Sequence, residues 1–460
     1  MFRVFNTLTR KKEEFIPFKK PNVKMYSCGL TVYGFGHIGN FRAFVASDLI
    51  SRYLKYKEYK VTKVINITDV DDKTINGAIK EGVSLHKFTE KFINGFFEDI
   101  NALNIDPADY YPKATDYIKE MVELIKKLKA KGYTYEQDGS IYFKISSDKN
   151  YGKLAHLDFS KLEDNAQGRL ESDDKDNARD FVLWKGYKET DGEVFWNTEI
   201  GKGRPGWHIE CSAMSTKILG DSFDIHTGGV DLIFPHHTNE IAQSENANCK
   251  PYVKYWLHNE YLQVEGEKMS KSLGNFFTLK DLLDKGYDPM AIRYELLATH
   301  YRMPLNFTIK GLEASKSAIE KINNFIWELS EAKEGKLTNS TKELIKTAKD
   351  SFEVAMDDDF NISAALASIF DFLKAIYKSG FTTGDAKLIL EFLKKINSVL
   401  GVMSFKTDTS IDQNIEQLIE QRNIARANKD FATSDKIRDD LLLKGIEILD
   451  GPEGTKWRKK

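Results

Sequence analysis

The chain is poor in cysteine, nearly free of net charge and without a long apolar run. Its three cysteines, Cys28, Cys211 and Cys249, are odd in number and far apart, which argues against a disulfide framework and fits a reducing cytoplasm. A net charge of -2 leaves no global field to attract an anionic polymer, so a nucleic-acid partner must be met by local basic surface. No stretch approaches the ~20 apolar residues of a membrane span. The first two dozen residues carry Lys and Glu without an apolar core of signal length, so neither secretion nor membrane insertion is expected. Internal repeats, low-complexity tracts and a Cys-x-x-Cys clip are also missing.

What remains is ordinary globular material. Apolar residues make up 41% and charged residues 30% of 460 positions, enough for two or more domains of roughly 100–200 residues each. In the first third, Lys24 to Cys28 reads as a strand. Phe41, Val45, Leu49 and Tyr53 then recur every four residues on a helix starting near Asn40, and Val61 to Thr68 reads as a second strand. Strand, glycine turn, helix and strand make a βαβ unit, which holds ligands at the carboxyl ends of its strands.

From about Tyr110 to Pro205 the texture changes. A helix with apolar Ile118, Met121, Val122, Ile125 and Leu128 precedes a short strand at Ser140 to Ile145 and then a charged, polar stretch. This reads as an insertion between two halves of one sheet. The sheet resumes at Phe223 to His226, ahead of Gly228 and Gly229, and continues past Tyr255 to Val264. Beyond Phe307 the period is helical, with one stripe of Ile319, Ile322, Phe325, Ile326 and Leu329 and another of Ile362, Ala365, Leu366, Ile369 and Leu373. The residues from Lys456 to Lys460 read as a short basic tail around Trp457.

Two segments suit a polyphosphate. In Lys268-Met269-Ser270-Lys271-Ser272, loop-borne ammonium groups can follow charge as it moves onto departing pyrophosphate; a solvated basic turn is the plainer alternative. In His37-Ile38-Gly39-Asn40, Gly39 admits close backbone approach, while His37 and Asn40 offer donors beside a helix N-terminus. Alone the second string is weak. One on each half of a split sheet, in that order, the two are far more telling.

These segments resemble the His-Ile-Gly-His and Lys-Met-Ser-Lys-Ser signatures of class I aminoacyl-tRNA synthetases, with Asn40 in place of the second histidine. Asparagine still donates a hydrogen bond but cannot become cationic. Within that class the chain resembles the cysteinyl-tRNA synthetase family. The likeness is carried by Tyr26-Ser27-Cys28-Gly29-Leu30-Thr31-Val32-Tyr33, by Asn66-Ile67-Thr68-Asp69-Val70-Asp71-Asp72-Lys73, by Gly206-Trp207-His208-Ile209-Glu210-Cys211 and by Phe234-Pro235-His236-His237-Thr238-Asn239-Glu240. Asp430 to Arg438 and Gly454 to Arg458 extend it to the end of the chain.

The resemblance implies an α/β fold: a split Rossmann-like parallel-sheet catalytic domain with an insertion, then a helical bundle and a small C-terminal anticodon-binding region. The expected divisions are 1–110 and 206–265 for the catalytic halves, 111–205 for the insertion, 266–315 for the Lys-Met-Ser-Lys-Ser loop and stem contacts, 316–405 for the bundle and 406–460 for the anticodon region. It implies ATP-dependent activation of L-cysteine and transfer to tRNA(Cys), with ATP accompanied by Mg²⁺. His37, Asn40, Lys268 and Lys271 would be catalytic, with Gly39 and Ser270 also on the ATP. Gly29, Thr31, Thr68, Trp207 and Asp231 would hold cysteine or its adenylate, and Trp457 and Arg458 the anticodon.

For a metal, the residues alone supply half a site: His236 and Glu240, four apart on a helix opened by Pro235, share a face. The resemblance implies one Zn²⁺ per chain on Cys28, Cys211, His236 and Glu240. Such an ion would select sulfur over the hydroxyl of serine, so no editing domain is expected. His237 is expected to be a supporting donor or a plain helix-face residue, and Cys249 incidental. A cytoplasmic monomer is expected. The alternatives are a zinc-dependent ligase joining cysteine to an amino sugar and an inactive binding paralogue.

Overall fold

The computed structural model describes residues 1–157, 180–270, 274–405, 413–443, 446–451 and 454–459. The chain divides into two compact units, Met1–Met403 and Ser404–Lys460.

At the centre of the larger unit lies a parallel sheet. Its strands are β1 (Asn22–Ser27), β2 (Lys60–Ile65), β3 (Phe223–Gly229) and β4 (Val253–Asn259), in the order β4-β3-β1-β2. The first two strands come from before the insertion and the last two from after it. Pairing of β3 with β1 through Ile225–Met25, His226–Tyr26 and Thr227–Ser27 therefore joins the halves. All four strands point their carboxyl ends the same way, which brings Cys28, Gly228 and Gly229 to one crevice.

Helix α1 (Ile38–Tyr56) crosses over between β1 and β2, with Phe41, Val45, Leu49 and Tyr53 buried as their four-residue spacing requires. Two further helices, α2 (Trp207–Leu219) and α3 (Thr238–Asn248), flank β3.

The insertion holds more order than its charged composition suggests. Among its described residues, five antiparallel strands run in the order Thr134–Gln137, Ser140–Phe143, Phe181–Gly186, Gly201–Pro205, Trp196–Thr198. Ile118, Met121, Ile125, Phe143, Leu183 and Trp184 form one core with Ile209, Ala213 and Met214 of α2. The insertion thus braces the helix that carries Cys211. Part of the charged stretch read from the sequence, 158–179, lies outside the described residues.

Other readings need correction. The second strand ends at Ile65 rather than Thr68, and β3 runs on through Gly229 rather than stopping at His226. The sheet does not continue to Val264: β4 stops at Asn259, and Leu262–Val264 pairs with Leu305–Phe307 in a separate small sheet. The alternation of Leu262-Gln263-Val264 concealed that break, because a chain leaving one sheet for another keeps its strand-like composition.

Helices Ile309–Ser330, Asn339–Asp357, Ile362–Ser379 and Thr383–Leu400 come next, and both apolar stripes read from the sequence are buried. Ring contacts seal them, Phe325 against Tyr377 at 5.1 Å and Phe372 against Phe392 at 5.0 Å.

The small unit consists of helices Gln413–Ala427 and Phe431–Leu443 and a hairpin of Ile446–Gly451 with Gly454–Lys459. Ile415, Ile419, Ile437, Leu441, Ile446 and Ile448 make its core. The expected basic tail is therefore a strand, with Trp457 paired across from Ile448 and half-buried against that core. Arg422 clamps Asp450 of the hairpin through two bonds of 2.8 and 2.7 Å. The side chain of Arg458 lies outside the described residues.

Candidate metal centre and active site

Four side chains from three separate segments converge at the crevice. Cys28 comes just after β1, Cys211 sits in α2, and His236 and Glu240 lie just before and within α3. Each offers a ligand atom, and these atoms all fall within 4.8 Å of one another. Cys28 Sγ is 3.9 Å from Cys211 Sγ and 3.8 Å from Glu240 Oε1. His236 Nε2 is 3.0 Å from the same Glu240 oxygen. One detail differs from the sequence reading: His236 belongs to the wide turn Ile233–His237, and α3 proper starts at Thr238. The spacing of four still brings His236 and Glu240 together across that turn.

These donors fit a zinc ion. The Nδ1 atom of His236 is engaged 2.9 Å from His208 Nδ1, while its Nε2 is buried without a well-aligned hydrogen-bond partner. A buried nitrogen that meets a carboxylate oxygen at 3.0 Å without good alignment, beside two thiols, suits a coordination site. Electrostatics agree. The hydrogen bond from Cys28 outweighs burial and holds the Cys211 thiol down to about 6, whereas burial and the neighbouring Cys211 push Cys28 well above the usual thiol range. Burial alone would raise Glu240, but His226 and His236 hold it well below the usual carboxylate range. Burial also disfavours a His236 cation, yet Cys211 and Glu240 hold it up to about 10. Negative charge is thus collected in a buried place, and a divalent cation would neutralise it while releasing protons.

Of the shell around these donors, sequence reasoning expected His237 alone and missed the rest. His226 Nε2 and the Tyr252 hydroxyl both lie 3.0 Å from Glu240 Oε2, fixing the carboxylate so that its other oxygen faces His236 and Cys28. His226 sits on β3 and Tyr252 just before β4, so only the tertiary fold reveals them. His237 places Nε2 3.4 Å from Cys28 Sγ and Nδ1 2.8 Å from His258. Burial keeps His237 and His258 neutral, the latter down at about 3. His226 and His237 also form a second potential ligand set with Cys28 and Glu240. Gly228 is required here, because a Cβ would stand 2.6 Å from the His237 ring.

A polar chain borders the crevice. Asn66 Oδ1 accepts from the Gly29 N–H at 2.8 Å, and its amide donates to Thr68 Oγ1 at 3.2 Å. Thr68 bonds Glu210 in turn, whose carboxyl is fully buried and pushed up by burial and by Cys211. Gly29 passes so close to Asn66 that a Cβ would overlap its carbonyl oxygen at 1.6 Å. Thr31 bridges to Thr68 by backbone. Trp207 opens α2 and stacks on His236 with ring centres 4.3 Å apart. Asp231 is exposed on the short turn after β3.

His37 caps α1. Its Nδ1 accepts the Asn40 N–H at 3.2 Å, and Asn40 Oδ1 accepts the His37 N–H at 3.1 Å. Asparagine therefore serves as the cap's reciprocal partner at a position where the signature has histidine. The other signature comes alongside: Ile38 N–H donates to Phe277 O at 3.1 Å, the His37 ring packs on Phe276, and Gly39 faces Met269. Asn275 braces the loop, accepting from the Ser270 N–H at 2.8 Å and donating to Lys268 O at 3.2 Å. Lys268 is exposed on the two-residue strand Glu267–Lys268 rather than in a loop; Lys271 lies outside the described residues.

Comparison with known proteins accords with this arrangement. Residues 14–317 match the family model described as the tRNA synthetases class I (C) catalytic domain, and 351–405 match the DALR domain. The chain is 50% identical to a cysteine–tRNA ligase of Brachyspira hyodysenteriae, covering 99% of both chains. It is 47% identical to one of Chlamydia caviae, covering 99% of this chain and 97% of that one. Among solved structures, Mycobacterium tuberculosis methionyl-tRNA synthetase bound by methionyl-adenylate aligns with a TM-score of 0.60 at 14% identity, over 85% of this chain and 87% of that one. At that identity the likeness is one of fold.

Proposed function

Because the chain belongs to the cysteine–tRNA ligase family of class I synthetases, we propose that its crevice is the cysteine site, with a zinc ion on Cys28, Cys211, His236 and Glu240. The enzyme activates cysteine with ATP to cysteinyl-adenylate and transfers it to tRNA(Cys). The convergence of two thiols, an imidazole and a carboxylate within 4.8 Å carries the reading. When bound, zinc supplies a soft acceptor for the substrate's own sulfur and so rejects serine, whose hydroxyl is a poor ligand for it. His226 and Tyr252 hold Glu240 in place, and Thr68 and Trp207 line the room for the rest of the amino acid. Asp231, Gly29 and Thr31 complete that wall.

In-line attack of the cysteine carboxylate on the α-phosphate needs positioning and charge stabilisation more than covalent help. His37 and Asn40 serve the phosphates at the start of α1 with Gly39 leaving room. Lys268, Ser270 and Lys271 follow the pyrophosphate as it departs, with Mg²⁺ accompanying ATP. A terminal ribose hydroxyl of tRNA then attacks the mixed anhydride. The DALR-matching helices and the small C-terminal unit are assigned to the anticodon, Trp457 and Arg458 included, while 111–205 is the insertion and 266–315 the stem-contact segment. The half-burial of Trp457 leaves one part of its ring for that contact. A cytoplasmic monomer is proposed; among the described residues no helix is long and apolar enough to cross a membrane. Neither the amino-sugar ligase nor the inactive paralogue gains support from the full-length relatives.

The test is purified protein with ATP, bulk tRNA and labelled cysteine or serine. Cysteine should be charged in preference to serine by ~10⁴ or more, and Lys271→Ala should slow cysteine-dependent pyrophosphate exchange with little effect on cysteine binding. Equal charging of serine, or an unchanged exchange rate in the variant, would refute the scheme.

A further inference from the structure

The loop from Cys28 to His37 joins the candidate metal centre to the phosphate end of α1, and its backbone is well pinned. Val32 N–H donates to Thr68 O at 3.1 Å, Tyr33 N–H to Thr31 O at 2.9 Å, and Phe35 packs edge-on against Phe92 at 5.2 Å. Between these anchors the Tyr33 side chain is 46% exposed. An exposed aromatic alone is ordinary. Here, however, the Lys73 ammonium lies 4.8 Å from the ring centre and makes no ion pair among the described residues. Its neighbour Asp72 is already committed to Lys185 and Arg204 of the insertion. The rim between the two reacting ends therefore carries a ring and an unneutralised cation.

Cysteine is accounted for by the candidate metal centre, and ATP by the two signature segments. The third substrate must bring a ribose hydroxyl between them. Unpaired nucleotides are held by a base stacked on an aromatic plane with a cation on the adjoining phosphate. We propose that Tyr33 and Lys73 form the stacking platform for the unpaired 3′-terminal adenosine of the tRNA, an inference that rests on the function proposed above.

The experiment compares Tyr33→Ala, Tyr33→Phe and Lys73→Gln in two assays, tRNA-independent pyrophosphate exchange and aminoacylation. Tyr33→Ala should lower aminoacylation kcat/KM for tRNA about tenfold or more, and Tyr33→Phe should stay within about twofold of the parent. Lys73→Gln should flatten the salt dependence of the tRNA KM. Exchange rates and bound metal should be unchanged in all three. Binding of tRNA lacking its terminal adenosine should be the same for the parent and Tyr33→Ala, while intact tRNA should favour the parent. The proposal is overturned by undiminished aminoacylation in Tyr33→Ala, by an equal loss of exchange, which would assign the ring to ATP, or by equal penalties on intact and shortened tRNA. A parent enzyme that exchanges pyrophosphate yet charges no tRNA(Cys) would overturn the functional reading, and the proposal with it.

Discussion

Glu240 shows how much a single carboxylate depends on its surroundings. One oxygen faces His236 and Cys28, and the other is held by His226 and Tyr252, each at 3.0 Å. Releasing the second oxygen lets the side chain rotate away from the proposed zinc site, so His226→Ala should weaken zinc binding about 10–100-fold, read by competition with a chelator. Tyr252→Phe removes one of the two holds and should fall between that variant and the parent. If His226→Ala binds zinc as the parent does, Glu240 is oriented by something else. Of the four candidate ligands, spacing offered only His236 and Glu240; Cys28 and Cys211 came from family likeness, since they meet only because β3 pairs with β1. His237 was expected as a supporting donor or a plain helix-face residue, but His226 and Tyr252 carried no signal: a histidine within an apolar strand reads as core, and so does a tyrosine just before one.

Elements were more legible than residues. The four-residue recurrence in α1 and the two stripes of the bundle stood out because helices bury one face at a fixed period. Of the five antiparallel strands of the insertion only Ser140–Phe143 did, because they are three to six residues long and set among charged turns. Side-chain caps also escape periodicity. Asp385 accepts from the N–H and hydroxyl groups of both Thr338 and Thr382, tying the starts of helices Asn339–Asp357 and Thr383–Leu400 together. Burial would raise its carboxyl, but those bonds hold it down to about 2. Its stabilisation is therefore fully present above the unfolded value and lost as pH falls through the folded one. Asp385→Asn should cost on the order of 1–2 kcal/mol at pH 7, with the difference from the parent vanishing between about pH 4 and pH 2 in urea titrations. A penalty constant across that window would contradict the assignment.

At the scale of the larger unit, a buried ionic knot joins the sheet domain to the last helix of the bundle. Arg293, fully buried, bonds Asp48 of α1 at 2.7 Å and the carbonyls of Leu103, Asn104 and Leu400. Arg52 and Lys63 share the same carboxylate. Burial would raise Asp48, yet Arg293, Lys63 and Arg52 keep it below the ordinary range. Asp48→Ala leaves Arg293 and Lys63 without an ion-pair carboxylate and Arg52 with Asp106 alone, and should cost about 3–5 kcal/mol, measured by denaturant unfolding; a loss under about 1 kcal/mol would mean that water already relieves them.

The account turns on the substrate's sulfur reaching a metal held by Cys28, Cys211, His236 and Glu240. Cobalt(II) substitution makes that visible, since thiolate bound to cobalt absorbs by charge transfer and each added sulfur ligand strengthens the band. Titration of the cobalt enzyme with cysteine should intensify that band, while serine at equal concentration should leave it unchanged. A spectrum that cysteine does not alter would contradict the account.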